Sequence, residues 1–289
     1  MLALRARMGY GRDVAMFTIT RKQSFNEDTF LLEFRLPTIA ERAMPGQYVD
    51  IHMNVDGPTF TLPIATIDRE AGTFTVVEQA RDLATERLMM LAQGEEVFQI
   101  RGPLGAPCRI DSDGKVVLIA ENLGAASLLW RARAFKEHGA HVIVVLGFDS
   151  KDRVFWKDEF AAVADELYVA TEDGSFGVSG RVTGVLQALC ETHKDIDRIG
   201  VVANLKHMKR AAKIASDFGI DCTVSFDAIR FPAGAPTIFD HADDAQETFA
   251  FARAPELDAE SVDFEKLLSR ERALSSNTES QPGSSRAIG

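Results

Sequence analysis

The sequence predicts a small antiparallel β-barrel followed by an α/β unit built on a doubly wound parallel sheet. Two observations carry this. The first third is a series of short β-rich runs separated by turn residues, and beyond Asp111 continuous apolar runs alternate with helical stretches. A length of 289 residues, of which 46% are hydrophobic, suffices for two domains with sizeable cores.

In the first unit, Thr29–Leu36, Tyr48–Met53, Thr73–Val77 and Val97–Ile100 read as strands. Pro45-Gly46, Ala71-Gly72, Gly94 and Gly102-Pro103 separate them, a spacing that suits a small barrel. In the second unit, Val116–Ala120 is apolar throughout, as in a strand buried on both faces. A helix over Ala125–His138 follows, closed by Gly139, and then a strand over His141–Leu146. Next come a helix near Lys157–Ala164, strand Leu167–Ala170, helix Val182–Thr192, strand Arg198–Val202, helix Lys206–Phe218 and strand Asp221–Val224. This alternation implies a parallel sheet covered by helices. The expected organisation is an N-terminal extension over 1–15, a barrel over 16–110, an α/β domain over 111–225, a C-terminal segment over 226–272 with a short helix at Val262–Arg272, and a disordered tail over 273–289.

The net charge of -11 argues against nucleic acid and anionic membrane surfaces as partners. No stretch approaches the roughly 20 apolar residues that cross a bilayer. The N-terminus lacks the apolar core of a signal peptide. Cys108, Cys190 and Cys222 form neither a CxxC nor a disulfide framework, and read as structural thiols of a cytoplasmic protein. Asp240-His241-Ala242-Asp243-Asp244 fits no metal-ligand spacing and reads as an acidic loop, while Lys206 and His207, at a helix start, read as surface residues.

Seven short stretches occur in one order: Pro45–Tyr48 (PGQY), Asp68–Thr73 (DREAGT), Gly102–Gly105 (GPLG), Ala132–Glu137 (ARAFKE), Thr171–Gly177 (TEDGSFG), Gly180–Thr183 (GRVT) and Val262–Phe264 (VDF). On these the chain, over roughly residues 16–272, resembles the small (alpha) subunit of NADH-dependent ferredoxin–NADP oxidoreductase, also called sulfide dehydrogenase, in the ferredoxin–NADP reductase-like superfamily. It is more distantly similar to the electron-transfer subunit of dihydroorotate dehydrogenase B. The resemblance implies FAD on the barrel, NAD(P)H on the α/β domain, a [2Fe–2S] cluster near the C-terminus, and a large flavoprotein partner resembling the glutamate synthase small subunit.

The cofactor positions depart from that pattern. An Arg-x-Pro-x-Thr type motif would hold flavin, but here Thr59 stands for the Arg and Pro63 for the Thr, with Thr61 between them. The Gly-rich turn for the flavin diphosphate reads Ala80–Thr85, with Asp82 where glycine is expected, although Thr85 survives and Arg81 adjoins. The nucleotide turn after the first parallel strand keeps only Gly124 of its glycines and adds Glu121. Asp149 replaces an Arg and has the chemistry to bond a ribose hydroxyl. No cysteine follows Cys222, and Phe251, in the matching stretch Gly234–Phe251, occupies the place of the last cluster ligand, so no [2Fe–2S] cluster is expected.

Three readings stand at this point. The first is a cofactor-depleted subunit with a structural or regulatory role beside a large flavoprotein. The second is an active, cluster-free FAD-dependent NAD(P)H oxidoreductase. It would use Thr85, Gly102, Gly105 and Gly124 as remaining contacts, with Thr171, Asp173 and Gly174 flanking the nicotinamide nucleotide as the resemblance implies. The third is a nucleotide sensor in which Glu121 and Asp149 read adenosine hydroxyls.

Overall fold

The computed structural model describes residues 16–226 and 256–279. They form two compact units. One comprises the described residues up to Ala43 together with Tyr48–Leu104. The other comprises Met44–Gln47 and the described residues from Gly105 onward.

The first unit holds strands β1 (Phe17–Ser24), β2 (Thr29–Arg35), β3 (Tyr48–His52), β4 (Thr59–Pro63), β5 (Thr66–Asp68), β6 (Thr73–Gln79), β7 (Glu96–Val97) and β8 (Gln99–Leu104), with helices α1 (Pro37–Arg42) and α2 (Leu83–Met90). They make two antiparallel sheets, ordered β5-β6-β2-β1-β7 and β4-β3-β8. Two corners join these sheets. At one, β7 passes into β8 through Phe98, whose N–H donates to the His52 carbonyl of β3 (2.9 Å). At the other, β4 passes into β5 through the buried Ile64 and Ala65, and Ala65 N–H donates to the Thr75 carbonyl of β6 (2.8 Å). The strands therefore run in a ring, as a barrel requires. Its core is aromatic: Phe30, Phe34 and Phe74 are all buried, and Phe34 stacks on Phe74 with centroids 5.8 Å apart. Local chemistry sets the turns. The Asn26 carboxamide accepts the Asp28 and Thr29 N–H groups between β1 and β2, and Pro37 opens α1.

The second unit holds β9 (Lys115–Glu121), β10 (His141–Phe148), β11 (Glu166–Thr171), β12 (Val178–Ser179), β13 (Ile196–Val202), β14 (Asp221–Ser225) and β15 (Glu256–Asp258). Its helices are α3 (Gly124–Glu137), α4 (Lys157–Ala161), α5 (Val182–Thr192), α6 (Leu205–Phe218) and α7 (Phe264–Glu279). The sheet order is β12-β11-β10-β9-β13-β14-β15. Only β15 is antiparallel to its neighbour. From β9 the chain winds outward through β10 and β11, then returns by α5 to β13 on the other side of β9. That reversal opens a crevice beyond the carboxyl ends of β9 and β13, where ligands of such sheets bind. The apolar runs of β9 and β10 are buried on both faces, as expected for a covered parallel sheet.

Several sequence expectations shift. The strand expected at Val97–Ile100 is two strands that break at Phe98. Strands β1 and β5 and helix α1 are additions. The boundary between units falls at Leu104 rather than after residue 110, and the Pro45-Gly46 turn groups with the second unit. The stretch from Glu256 is part of the α/β unit: β15 extends its sheet, and Ala259, Phe264, Leu267 and Leu268 are buried in its core. Helix α7 continues past Ala273, where a tail was expected to begin, to Glu279. The segments 1–15 and 280–289, the stretch Gly234–Phe251 and the acidic run 240–244 lie outside the described residues.

Candidate functional site

Two surfaces answer to the cofactor positions, one on each unit. On the first, the outward face of β4-β3-β8 carries Thr59, Thr61, Asp50, His52 and Arg101. Alternation along β4 puts Phe60 and Leu62 inside and both threonines outside. These outward groups bond one another across the strands. Thr61 Oγ1 donates to Asp50 Oδ1 (2.7 Å), Arg101 Nη2 reaches Asp50 Oδ2 (3.0 Å), and Thr59 Oγ1 lies 3.2 Å from His52 Nδ1. Pro63 is buried and has no N–H to offer. Gly102 lies in β8, where a Cβ would come within 2.7 Å of Val49 Cγ1.

The end of α2 is more telling. Asp82 is its N-cap, and Asp82 with Thr85 completes a capping box. Thr85 N–H donates to Asp82 Oδ1 (2.8 Å), while Thr85 Oγ1 accepts the N–H groups of Arg81 (2.9 Å) and Asp82 (3.0 Å). Partial burial pushes the Asp82 carboxyl upward. The bonds from Thr85, the Ala84 N–H and the Arg81 charge outweigh that and hold it below the usual carboxylate range. At this helix start the Thr85 N–H serves a carboxylate of the chain itself. Aspartate immediately before a helical run, with Thr three residues later, is a capping signal that local sequence carries.

In the second unit, Glu121, Asn122, Gly147, Phe148, Asp149, Glu172, Gly180, Arg181, Val182 and Asn204 line a small cleft of about 50 Å³ beyond the strand ends. The turn after β9 is tied to its surroundings. Asn122 sits in the left-handed region (φ 46°), its N–H donates to the Gly147 carbonyl (2.8 Å), and its Nδ2 donates to Asp149 Oδ1 (3.2 Å). Gly124 is buried, and a Cβ there would stand 2.6 Å from the Val202 carbonyl, so its role is close approach of α3 to β13. Glu121 turns toward the start of α6. Its Oε1 accepts from His207 Nδ1 at 2.5 Å and its Oε2 from Asn204 Nδ2 at 3.1 Å, while Asn204 Oδ1 caps the helix by accepting His207 N–H (3.0 Å). The expected surface residue His207 is thus only 12% exposed in its side chain. This cluster was not readable in the sequence, because His207 and Glu121 meet only through the strand order.

The remaining predicted positions fall into turn-building roles. Thr171 is fully buried, and its hydroxyl donates to the Phe176 carbonyl (2.8 Å) and accepts the Phe176 N–H (3.0 Å). Asp173 Oδ1 accepts from Ser175 Oγ (2.6 Å) and Ser175 N–H (3.0 Å), bonds that hold its carboxyl below the ordinary value. Gly174 has φ 71°, and a Cβ there would lie 2.7 Å from Ser179 Oγ. Gly105 offers its carbonyl to Gln47 Nε2 (2.7 Å). The three cysteines form no disulfide; burial pushes the Cys222 thiol up to about 12, which leaves it inert. Among the described residues, no group of His, Cys, Asp and Glu is arranged to hold a metal ion, and no helix is long and apolar enough to cross a membrane.

No family model matches the chain. Curated relatives do. The Thermotoga maritima protein named dihydroorotate dehydrogenase B (NAD(+)), electron transfer subunit homolog, is 32% identical over 260 residues, which cover 89% of this chain and 90% of that protein. The dihydroorotate dehydrogenase B (NAD(+)) electron transfer subunit of Geobacillus kaustophilus is 31% identical over 177 residues, 59% of this chain and 68% of the relative. Among solved structures, a chain of the NADH-dependent reduced ferredoxin–NADP oxidoreductase, determined in work on flavin-based electron bifurcation, superposes with a TM-score of 0.76 at 29% identity. The match covers 94% of this chain and 100% of the other.

Proposed function

The chain belongs to the ferredoxin–NADP reductase-like family of dihydroorotate dehydrogenase B electron transfer subunits and their homologs, and on that premise we propose that it is a subunit of an oxidoreductase complex that has given up its own flavin. In this reading it acts as a structural or regulatory partner of a larger flavoprotein subunit, one resembling the glutamate synthase small subunit. The observation that carries the reading is the capping box of Asp82 and Thr85. A helix start favours one anion, and here the Asp82 carboxylate already accepts the Thr85 N–H at 2.8 Å. A diphosphate would have to displace a hydrogen-bonded like charge. On the β4-β3-β8 face Thr59 is neutral where an arginine is expected, and Arg101 is paired with Asp50 through Nη2 (3.0 Å). The residues present do not fit FAD.

The test is purification of the complex from its native source, followed by separation of its subunits and a visible spectrum of each. The expected result is a chain without flavin absorbance beside a yellow, larger partner. Stoichiometric FAD in this chain overturns the reading in favour of an active, cluster-free FAD-dependent NAD(P)H oxidoreductase.

A further inference from the structure

The crevice of the α/β unit sits where a dinucleotide's phosphates would lie, over the turn after β9 and against the start of α3. Three features of this chain occupy that place. The first N–H groups of α3 face inward to the turn: Ala125 N–H donates to the Asn122 carbonyl (3.1 Å) and Ala126 N–H to the Leu123 carbonyl (3.0 Å). Glu121, 11% exposed in its side chain, crosses from β9 to the start of α6, where His207 and Asn204 hold both its oxygens. Gly147 leaves room beside it, since a Cβ there would lie 3.4 Å from Glu121 Cγ and 2.4 Å from Val182 Cγ1. The Glu121 side chain and the first residue of α5 therefore close in over the end of β10.

We propose that Glu121, His207 and Asn204 form an internal lock in place of a ligand phosphate, so that the α/β unit excludes pyridine dinucleotides. On each unit a carboxylate of the chain stands near the expected phosphate place: Asp82 at the start of α2, and Glu121 on the wall of the crevice, held by side chains at the start of α6. At Glu121 the carboxylate is held by two side-chain donors and is only 11% exposed, so a phosphate entering the cleft meets a charge that solvent screens poorly. Asp149 and Glu172, on the same rim, add to that repulsion; Glu172 is offset by Arg181, whose Nε lies 3.1 Å from its Oε1.

The experiment is calorimetric titration of the full-length protein with NADH, NADPH, ADP and pyrophosphate, alongside Glu121→Gly and Glu121→Gln. Wild type is expected to show no saturable binding at millimolar ligand. Removing the charge is expected to gain ADP or NADH affinity by about tenfold or more. If Glu121→Gly fails to fold, Glu121→Gln, which keeps the side chain's size, decides. Saturable NADH or ADP binding by wild type overturns the proposal, and so does a folded Glu121→Gln that gains nothing. Flavin absorbance tests the function proposed above and nucleotide titration tests the lock, so either can fail alone.

Discussion

At the scale of single residues, Asp82, Thr171 and Glu121 use their polar atoms for bonds within the chain. Asp82 shows the energetics. Replacing a good N-cap by alanine costs about 1 kcal/mol, so Asp82→Ala is expected to lower the urea midpoint at neutral pH by a corresponding amount. Because the folded carboxyl titrates below the unfolded value of 3.8, its contribution is complete above that pH. It is lost as the pH falls through the lower folded value. The gap between wild type and Asp82→Ala should therefore narrow only at the acid end, which unfolding curves at stepped pH will show. Thr171 makes the parallel case in the second unit. Thr171→Val leaves the Phe176 N–H and carbonyl without the hydroxyl they share, at a cost of about 1–3 kcal/mol for a buried unmet partner. Chemical denaturation should register that loss, and a neutral result would mean that the TEDGSFG loop is not held by its threonine.

At the scale of elements, what the sequence makes legible follows from burial. Helix Val182–Thr192 matches its sequence reading to the residue, since its apolar positions recur on one face and lie in the core. Strand β1 escapes such a reading because Ile19 is its one fully buried residue; its place comes from pairing with β2 and β7. A strand held by backbone bonds on both sides needs no apolar alternation. Helix α3 shows a constraint of another kind. Its first residue, Gly124, lies so near the Val202 carbonyl that Gly124→Ala must move the helix from β13, with an expected overpacking cost of about 1–3 kcal/mol. The check is a denaturant midpoint against wild type. Unchanged stability would show that α3 can shift freely, and would weaken the case that this glycine is kept for packing.

At the scale of the whole molecule, the C-terminal residues are part of the second unit's stability. Phe264, Leu267 and Leu268 are buried against the core that α5 and α6 build, and β15 covers the edge of β14. At about 1.5–3 kcal/mol for each large apolar side chain, a chain ending before Glu256 should lose roughly 5 kcal/mol or more from this unit, much of a typical domain's margin. Expression of that truncation, followed by thermal unfolding, should show an aggregated or strongly destabilised α/β unit. A truncated chain that melts like the parent would mean that the C-terminal helix only decorates the fold.

The sequence alone determined the architecture of a β-barrel followed by an α/β unit, through periodicity and turn chemistry, and the family, through a resemblance carried by short matched stretches; all of these are local features. The tertiary structure decided what the residues at the expected cofactor positions bond to. Asp82 could be read as a repulsive misfit; folded, it is the cap of α2, bonded to Thr85 three residues on. Glu121 and His207 are separated by 86 positions and come within 2.5 Å only because the chain returns through α5 to lay β13 beside β9. A carboxylate's role is set by the donors around it, and those donors are supplied by strand order, which residue type does not encode.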